Sequence, residues 1–315
     1  MTSPDLSVEL APGHKRGLAL ANPVMTASGT FGYGFDSPFF NVNALGAVVT
    51  KSTTLRPRAG NPQTRIAETP AGMLNSIGLQ NPGVETVARE YAPRWATWRV
   101  PVVVSVLGAT ADEYAAVAER LEGVEGVAGL ELNISSPNAR RGGMEFGQDP
   151  DAAASVTRAV YRVTTLPVIV KLTPNVTDIV SVARAVVDAG ASAVCLINTL
   201  QAMAVDARQG RPVIGATFAG LSGPAIKPVG LRMVYQVARA VDAPIIGCGG
   251  VMRGEDALEY LEAGATAVQV GTATFANPCA PIEIVRDLSG LLEARGAASI
   301  DDVRGLALRG APGAR

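Results

Sequence analysis

The chain has 315 residues, of which 48% are hydrophobic, and its formal net charge is −1. This balance gives no electrostatic reason to expect binding to nucleic acid or to an anionic membrane. No apolar stretch approaches the roughly 20 residues that span a bilayer, and the first residues lack the charged start and apolar run of a signal peptide, so we expect a cytoplasmic protein.

Few side chains in this sequence suit a metal site. Its three cysteines, Cys195, Cys248 and Cys279, are far apart and form no Cys-x-x-Cys pair, so neither an iron–sulfur cluster nor a structural zinc is expected. Cys195 and Cys248 lie within apolar runs and are predicted to be core residues. The single histidine, His14, lies in a Pro-Gly-His-Lys segment whose expected role is a solvated turn. We therefore predict no metal.

Strand patterns recur along the whole chain. A hairpin is predicted over residues 6–20 and is expected to plug one end of a barrel. Short, nearly continuous apolar runs follow and are joined by helical patterns, which indicates a parallel sheet with both faces covered. The predicted strands lie near residues 24–28, 47–51, 102–107, 129–134, 167–172, 193–198, 244–248 and 267–271.

An internal repeat supports a closed barrel. The segment Asp188–Val194 is echoed by Glu262–Val268, and a helix is predicted over 178–189 with Gly190 at its end. Eight strand–helix units close a (β/α)8 barrel, whereas the alternative, a doubly wound open sheet, uses fewer of them. The sequence thus predicts an α/β fold, a (β/α)8 TIM barrel forming a single domain over residues 1–315.

Two connections are too long to be simple crossovers. Residues of about 52–100 separate the second and third strands, and about 199–227 separate the sixth and seventh. Long insertions at the carboxyl ends of barrel strands commonly cover an active site. Polar residues also gather at these strand ends, namely Ser28, Lys51, Asn133, Lys171, Asn198 and Thr199.

Glycines follow the last two predicted strands. Loops at this position often bind a phosphate, because glycine lets backbone N–H groups approach the anion. The candidates are Gly249, Gly250, Gly271 and Thr272, with Gly223 in Ser-Gly-Pro as a further wall. A phosphate here points either to a phosphorylated substrate or to a flavin mononucleotide.

Lys171 interrupts the apolar run Val-Ile-Val-Lys-Leu. A lysine in a buried strand is costly unless it meets an anion or polar partner, although a lysine reaching solvent at the barrel mouth is the alternative. We predict a functional role, with the ammonium stabilising negative charge on a reduced flavin ring. Lys51 ends the second strand similarly and is expected to pair with a substrate carboxylate or with the flavin.

Several motifs together resemble the dihydroorotate dehydrogenases of pyrimidine biosynthesis, over roughly residues 7–290. The first three of them resemble the cytosolic class 1 enzymes, specifically the catalytic subunit of the NAD-linked type B. The motifs are Ala27–Gly32, Thr50–Pro62, Gly72–Gly83, Glu131–Asn138, Val170–Pro174, Ile197–Thr199, Leu221–Pro228 and Gly247–Gly250.

The resemblance implies that FMN binds in the barrel mouth and that dihydroorotate is oxidised to orotate. A base removes a proton from C5 while C6 gives a hydride to flavin N5. By position, the FMN contacts are Ser28, Lys51, Ser52, Asn133, Lys171, Ile197, Gly223, Gly249, Gly250, Gly271 and Thr272. The substrate contacts are Lys51, Asn75, Ser76, Ile77, Gly78, Leu79, Asn133, Asn198 and Thr199.

Two positions depart from the class 1 pattern. Ser136 stands where class 1 enzymes usually have a cysteine base, and the membrane-bound class 2 enzymes use serine there. Ser136 is assigned as the catalytic base by position, and it needs a relay or water because a serine hydroxyl is a weak base near neutral pH. Ser105 stands where an asparagine near the flavin is common.

The resemblance also implies partners. Type B enzymes form homodimers and pass electrons to NAD through a second subunit that carries FAD and an iron–sulfur cluster. Alternatives that keep the flavin barrel are another pyrimidine as substrate, or fumarate or a quinone as acceptor. An alternative of another class is a flavin-binding subunit without turnover.

Overall fold

The computed structural model describes residues 3–35, 39–135 and 145–310. Numbered along the chain, its strands are β1 (Val8–Glu9), β2 (Ala19–Leu20), β3 (Val24–Thr26), β4 (Val48–Val49), β5 (Ile66–Thr69), β6 (Gly72–Asn75), β7 (Val102–Val106), β8 (Gly129–Asn133), β9 (Val168–Leu172), β10 (Ala193–Leu196), β11 (Leu200–Ala202), β12 (Val205–Asp206), β13 (Arg211–Pro212), β14 (Ala219–Ser222), β15 (Ile245–Cys248) and β16 (Ala267–Val270). Its α-helices are α1 (Val84–Thr86), α2 (Ala92–Trp95), α3 (Ala111–Leu121), α4 (Pro150–Tyr161), α5 (Ile179–Asp188), α6 (Lys227–Ala238), α7 (Gly254–Glu262), α8 (Ala273–Ala276), α9 (Ala280–Arg295), α10 (Ile300–Val303) and α11 (Leu306–Arg309). A π-helical segment, Val87–Tyr91, joins α1 to α2.

Eight of these strands pair in parallel, in the order β3, β16, β15, β10, β9, β8, β7, β4. The two ends of this row meet, because Met25 on β3 forms a parallel bridge with Ala47, which precedes β4. The Gly46 N–H also donates to the Val24 carbonyl at 2.8 Å. The ring is the (β/α)8 barrel that the sequence predicts, and each predicted barrel strand overlaps an observed one. The open-sheet alternative is wrong, since an open sheet leaves its edge strands unpaired.

The helices cover the outer face of the ring. Every residue of β7, β9, β10, β15 and β16 is buried, as expected for parallel strands with packing on both faces. Helix α5 begins where the Asp178 side chain accepts the N–H groups of Val180 (2.9 Å) and Ser181 (3.3 Å). Gly190 follows it with φ +107°, a conformation that glycine adopts easily. The predicted helix over 178–189 is confirmed.

The hairpin of β1 and β2 closes the amino end of the barrel. Its Leu10, Leu18 and Leu20 are buried and pack with residues that line the barrel interior, among them Ile246. The plug lies at the start of the strands, because Leu18 Cδ2 is 3.6 Å from where a Cβ would stand at Gly129, the first residue of β8. The predicted hairpin is confirmed, and in the described chain the barrel is left open at its carboxyl end.

The two long connections meet in a second sheet, which the sequence does not predict. Its antiparallel order is β11, β14, β6, β5, so each insertion contributes two strands. Gly220 on β14 pairs with Asn75 on β6. The insertions therefore form one shared wall rather than two separate loops. In the described part of the chain, no helix is long and apolar enough to cross a bilayer.

Candidate active site

A cavity of about 290 Å³ opens at the carboxyl ends of the barrel strands. It is lined both by residues at strand ends and by the insertion sheet, which contributes Met73 and Asn75. The residues predicted to bind the cofactor all line it: Ser28, Lys51, Ser52, Asn133, Lys171, Ile197, Gly223, Gly249, Gly250, Gly271 and Thr272. Of those predicted to bind the substrate, the lining includes Lys51, Asn75, Ile77, Gly78, Leu79, Asn133, Asn198 and Thr199.

Two predicted residues are placed differently. The Ser76 side chain is not part of the lining, and its Oγ accepts a hydrogen bond from Asn61 Nδ2 at 2.9 Å. Asn61 also donates to the Ser76 carbonyl at 3.2 Å, so Ser76 anchors the loop that carries Ile77 to Leu79. Ser136, the predicted base, lies outside the described residues.

Asparagine side chains at the ends of β8 and after β10 form one hydrogen-bonded group. Asn133 Nδ2 donates to Ser52 Oγ at 3.1 Å, and Asn198 Nδ2 donates to Asn133 Oδ1 at 3.2 Å. Asn198 Oδ1 accepts the Thr199 N–H at 2.8 Å, which fixes the orientation of this amide. The cavity therefore has a hydrogen-bonded polar wall, suited to a flat ring with several donors and acceptors.

Lys171 supplies a buried positive charge beneath that wall. The residue is 3% exposed, and its Nζ donates to Gln269 Oε1 at 2.8 Å. Burial by itself would lower the Lys171 pKa, but Cys248 and Glu131 outweigh burial and hold this pKa above its ordinary value. Lys171 is thus a charged ammonium at the floor of the cavity.

Lys51 supplies a second positive charge, nearer the mouth. Burial lowers the Lys51 pKa from its ordinary value. Among the described residues, no acceptor lies within hydrogen-bond distance of its Nζ. The atom is 3.5 Å from where a Cβ would stand at Gly29. A half-buried ammonium without a counter-ion marks a place where an anionic ligand group would be stabilised.

The glycine loops form a concave backbone surface at one side of the cavity. Gly250 has φ +72°, and a Cβ there would stand 2.7 Å from Lys227 Cβ, while a Cβ at Gly223 would stand 2.8 Å from Gly72 Cα. In the described chain, the N–H groups of Gly250, Gly271 and Thr272 donate to no carbonyl. Free N–H groups at glycine positions are what a phosphate requires.

The backbone just before α7 is already bonded to a side chain. Asp256 accepts the N–H groups of Met252 (2.9 Å) and Arg253 (3.1 Å), and Lys227 Nζ lies 2.6 Å from its Oδ1. A ligand anion at this side would therefore use the glycine N–H groups rather than those of Met252 and Arg253.

Four residues that the sequence analysis did not assign belong to this arrangement. Ser135 lines the cavity and its Oγ accepts from Asn198 Nδ2 at 3.1 Å, and Ser105 Oγ is 2.9 Å from Ser52 Oγ. Glu131 and Gln269 are fully buried below Lys171. Both interrupt apolar strand patterns as Lys171 does, and this signal could have identified them. In the described ranges, no group of three His, Cys, Asp or Glu side chains could hold a metal ion.

The chain as a whole matches a known protein family and several named relatives. The family described as "Dihydroorotate dehydrogenase" matches residues 14–292. A protein of Desulforudis audaxviator is 53% identical over 294 residues, covering 93% of this chain and 96% of that protein. A protein of Geobacter sulfurreducens is 53% identical over 306 residues, covering 97% and 99%. Both are named "Dihydroorotate dehydrogenase B (NAD(+)), catalytic subunit".

Proposed function

Since this chain belongs to the dihydroorotate dehydrogenase family, we propose that it is the catalytic subunit of an NAD-linked dihydroorotate dehydrogenase. It oxidises (S)-dihydroorotate to orotate in de novo pyrimidine (UMP) biosynthesis, with FMN as hydride acceptor. The observation that carries the proposal is that one cavity holds both the Lys51 ammonium, which has no partner among the described residues, and the buried Lys171 ammonium.

The residues present fit a flavin mononucleotide. The backbone N–H groups of Gly250, Gly271 and Thr272 would hold its phosphate, and Thr272 Oγ1, which donates to Ser222 Oγ at 2.8 Å, is held beside them. Lys171, at the floor, would face the ring, where a cation stabilises the negative charge of the reduced state. When bound, FMN supplies an acceptor for a hydride, which carries two electrons.

The remaining polar groups suit a small carboxylated pyrimidine. Lys51 would pair with its carboxylate, and the amides of Asn75, Asn133 and Asn198 would bind its ring carbonyl and N–H groups. The Asn75 amide is steadied by donation from Nδ2 to the Gly220 carbonyl at 3.3 Å. Ser136 remains our proposed base, by its position three residues after Asn133.

Electrons would leave through a partner. The relatives' name specifies both NAD(+) and a catalytic subunit, which supports a second subunit for electron transfer. We propose that this subunit carries FAD and an iron–sulfur cluster and that the catalytic chain forms a homodimer.

The test is anaerobic reduction of the purified protein. We expect a yellow protein whose oxidised flavin absorbance is bleached by dihydroorotate, and not by dihydrouracil, which lacks the carboxylate. Reoxidation by NAD should require the second subunit, whereas direct reoxidation by fumarate or a quinone would reassign the acceptor. A yellow protein that dihydroorotate leaves unchanged would refute the proposed activity, and Lys171→Ala should slow the bleaching.

A further inference from the structure

Three polar side chains lie together inside the barrel, below the cavity. They are Glu131 on β8, Lys171 on β9 and Gln269 on β16, with exposures of 0%, 3% and 1%. Lys171 Nζ donates to Gln269 Oε1 at 2.8 Å, and Gln269 Nε2 donates to Glu131 Oε2. We call this chain of contacts the buried relay.

The chemistry of the two ends determines the orientation of the middle amide. A lysine ammonium can only donate, and an ionised carboxylate can only accept. Gln269 must therefore turn its Oε1 toward Lys171 and its Nε2 toward Glu131, as observed. The opposite amide orientation would place N–H against N–H at one end and oxygen against oxygen at the other.

Packing alone does not explain Glu131. Its second oxygen, Oε1, is buried and has no hydrogen-bond partner in the described chain. Its register partner on β9, Ile169, is apolar, and its register partner on β7, Ser105, is polar but lies 2.9 Å from Ser52 Oγ rather than being bonded to Glu131. A buried carboxylate with an unsatisfied oxygen opposes folding, and residues of this kind concentrate at functional sites.

We propose that Gln269 and Glu131 are positioning residues for the flavin: Gln269 holds the Lys171 ammonium under the ring, and Glu131 orients Gln269 and moderates the positive charge that the ring meets. This inference rests on the proposed function, because it assigns the relay to a flavin in that cavity. Neither residue lines the cavity, so both act through Lys171.

The roles of Gln269 and Glu131 predict opposite changes in how strongly the cavity floor stabilises negative charge on the flavin. Gln269→Leu removes the amide oxygen that accepts from Lys171 at 2.8 Å, so the ammonium is held less firmly toward the ring and its stabilising effect falls, although Cys248 remains beside it. Glu131→Gln keeps an amide oxygen to accept from Gln269 but removes the negative charge, so the ring meets a more positive floor. A role in packing alone would make both variants change in the same direction or not at all.

Sulfite affinity reports this charge without turnover. Sulfite adds to N5 of oxidised flavin to form an N–S bond and an anionic adduct, and a nearby cation stabilises that adduct. In Gln269→Leu we expect sulfite to bind about tenfold more weakly, as for a lost hydrogen bond to a charged group. In Glu131→Gln we expect it to bind about threefold more tightly. Thr157→Val is the control, since Thr157 is buried in α4 and donates to the Ala153 carbonyl at 2.8 Å.

Changes of less than about twofold in both relay variants, or shifts in the same direction, would overturn the proposal. If Gln269→Leu does not fold, Gln269→Met removes the same acceptor with a more flexible side chain. If neither Gln269 variant folds, Glu131→Gln alone tests the proposal. Unchanged or weaker sulfite binding in that variant would contradict the role of Glu131 in moderating the positive charge.

A second measurement separates the relay from the proposed function. The chain has four lysines, Lys15, Lys51, Lys171 and Lys227, so lysine-labelled protein can be followed by 15N NMR without flavin. A slowly exchanging Lys171 ammonium signal that disappears in Gln269→Leu supports the relay even if the protein binds no FMN and the proposed function fails. Absence of that signal in the unmodified protein would overturn the relay, whatever the flavin does.

Discussion

Replacing Lys51 by methionine removes the ammonium that has no partner in the described chain while keeping much of the side-chain volume. The cavity already withdraws part of this side chain from water, and this burial lowers the Lys51 pKa. Part of the desolvation cost is therefore met when the protein folds, and a carboxylate arriving from solvent meets a prepared charge.

The expected loss follows from this geometry. A hydrogen bond to a charged group contributes about 1.5–3 kcal/mol, which is about 10- to 150-fold in Kd. Since Lys51 is already half-buried before binding, we expect a loss within that range for orotate. Uracil has the same ring without the carboxylate, so its Kd should stay within about twofold.

The assay is titration of the flavin absorbance with orotate or uracil, in the unmodified protein, in Lys51→Met and in Lys15→Met. Lys15 is an exposed lysine in the hairpin at the other end of the barrel, and its replacement should change neither Kd. Unchanged orotate affinity in Lys51→Met would refute the pairing with a carboxylate. An equal loss for orotate and uracil would assign Lys51 to the flavin or the ring instead.

The same lysine also predicts a pH dependence. A lowered pKa means that Lys51 loses its proton below pH 10.5, the ordinary value for lysine, as the pH rises. Orotate binding should therefore weaken on the alkaline side before that pH, and this fall should be absent in Lys51→Met. A fall at the same pH in both proteins would assign it to another group.

Three further outcomes are expected. Ser136→Ala should retain FMN yet lose most dihydroorotate oxidation, measured by stopped-flow bleaching, and near-normal turnover would remove Ser136 from the mechanism. Gly250→Ala should lower the FMN content of the purified protein, because φ +72° and a Cβ 2.7 Å from Lys227 Cβ force the loop to move, and full occupancy would contradict the phosphate cradle. Leu10→Ala should destabilise the protein by about 2–5 kcal/mol by emptying the barrel plug, so denaturant unfolding that matches the unmodified chain would show that the plug contributes little.

Much of the barrel can be predicted from the order of residues because its causes are local. Runs of apolar β-branched residues specify strands buried on both faces, and the Asp178 cap and Gly190 specify where α5 begins and ends. Lys171 could be recognised as functional for a similarly local reason, since a charge inside an apolar run is costly without a purpose.

The partners of those residues depend on contacts between distant parts of the chain. Nothing near Lys171 in sequence indicates Gln269, which lies 98 positions away, and Gln269 meets Glu131 across 138 positions. The pairing of Gly220 with Asn75 likewise joins insertions that no local pattern connects. Register and closure of the ring decide these contacts, because they determine which inward side chains share a level.

The sequence by itself determined that eight apolar strands would alternate with helices and that polar residues and glycines would follow the strand ends, because both depend on spacing along the chain. Only the tertiary structure decided that the Lys51 ammonium has no partner in the described chain and that Lys171 is held from below. Those properties depend on where burial and hydrogen-bond partners lie in space, which only the closed ring determines.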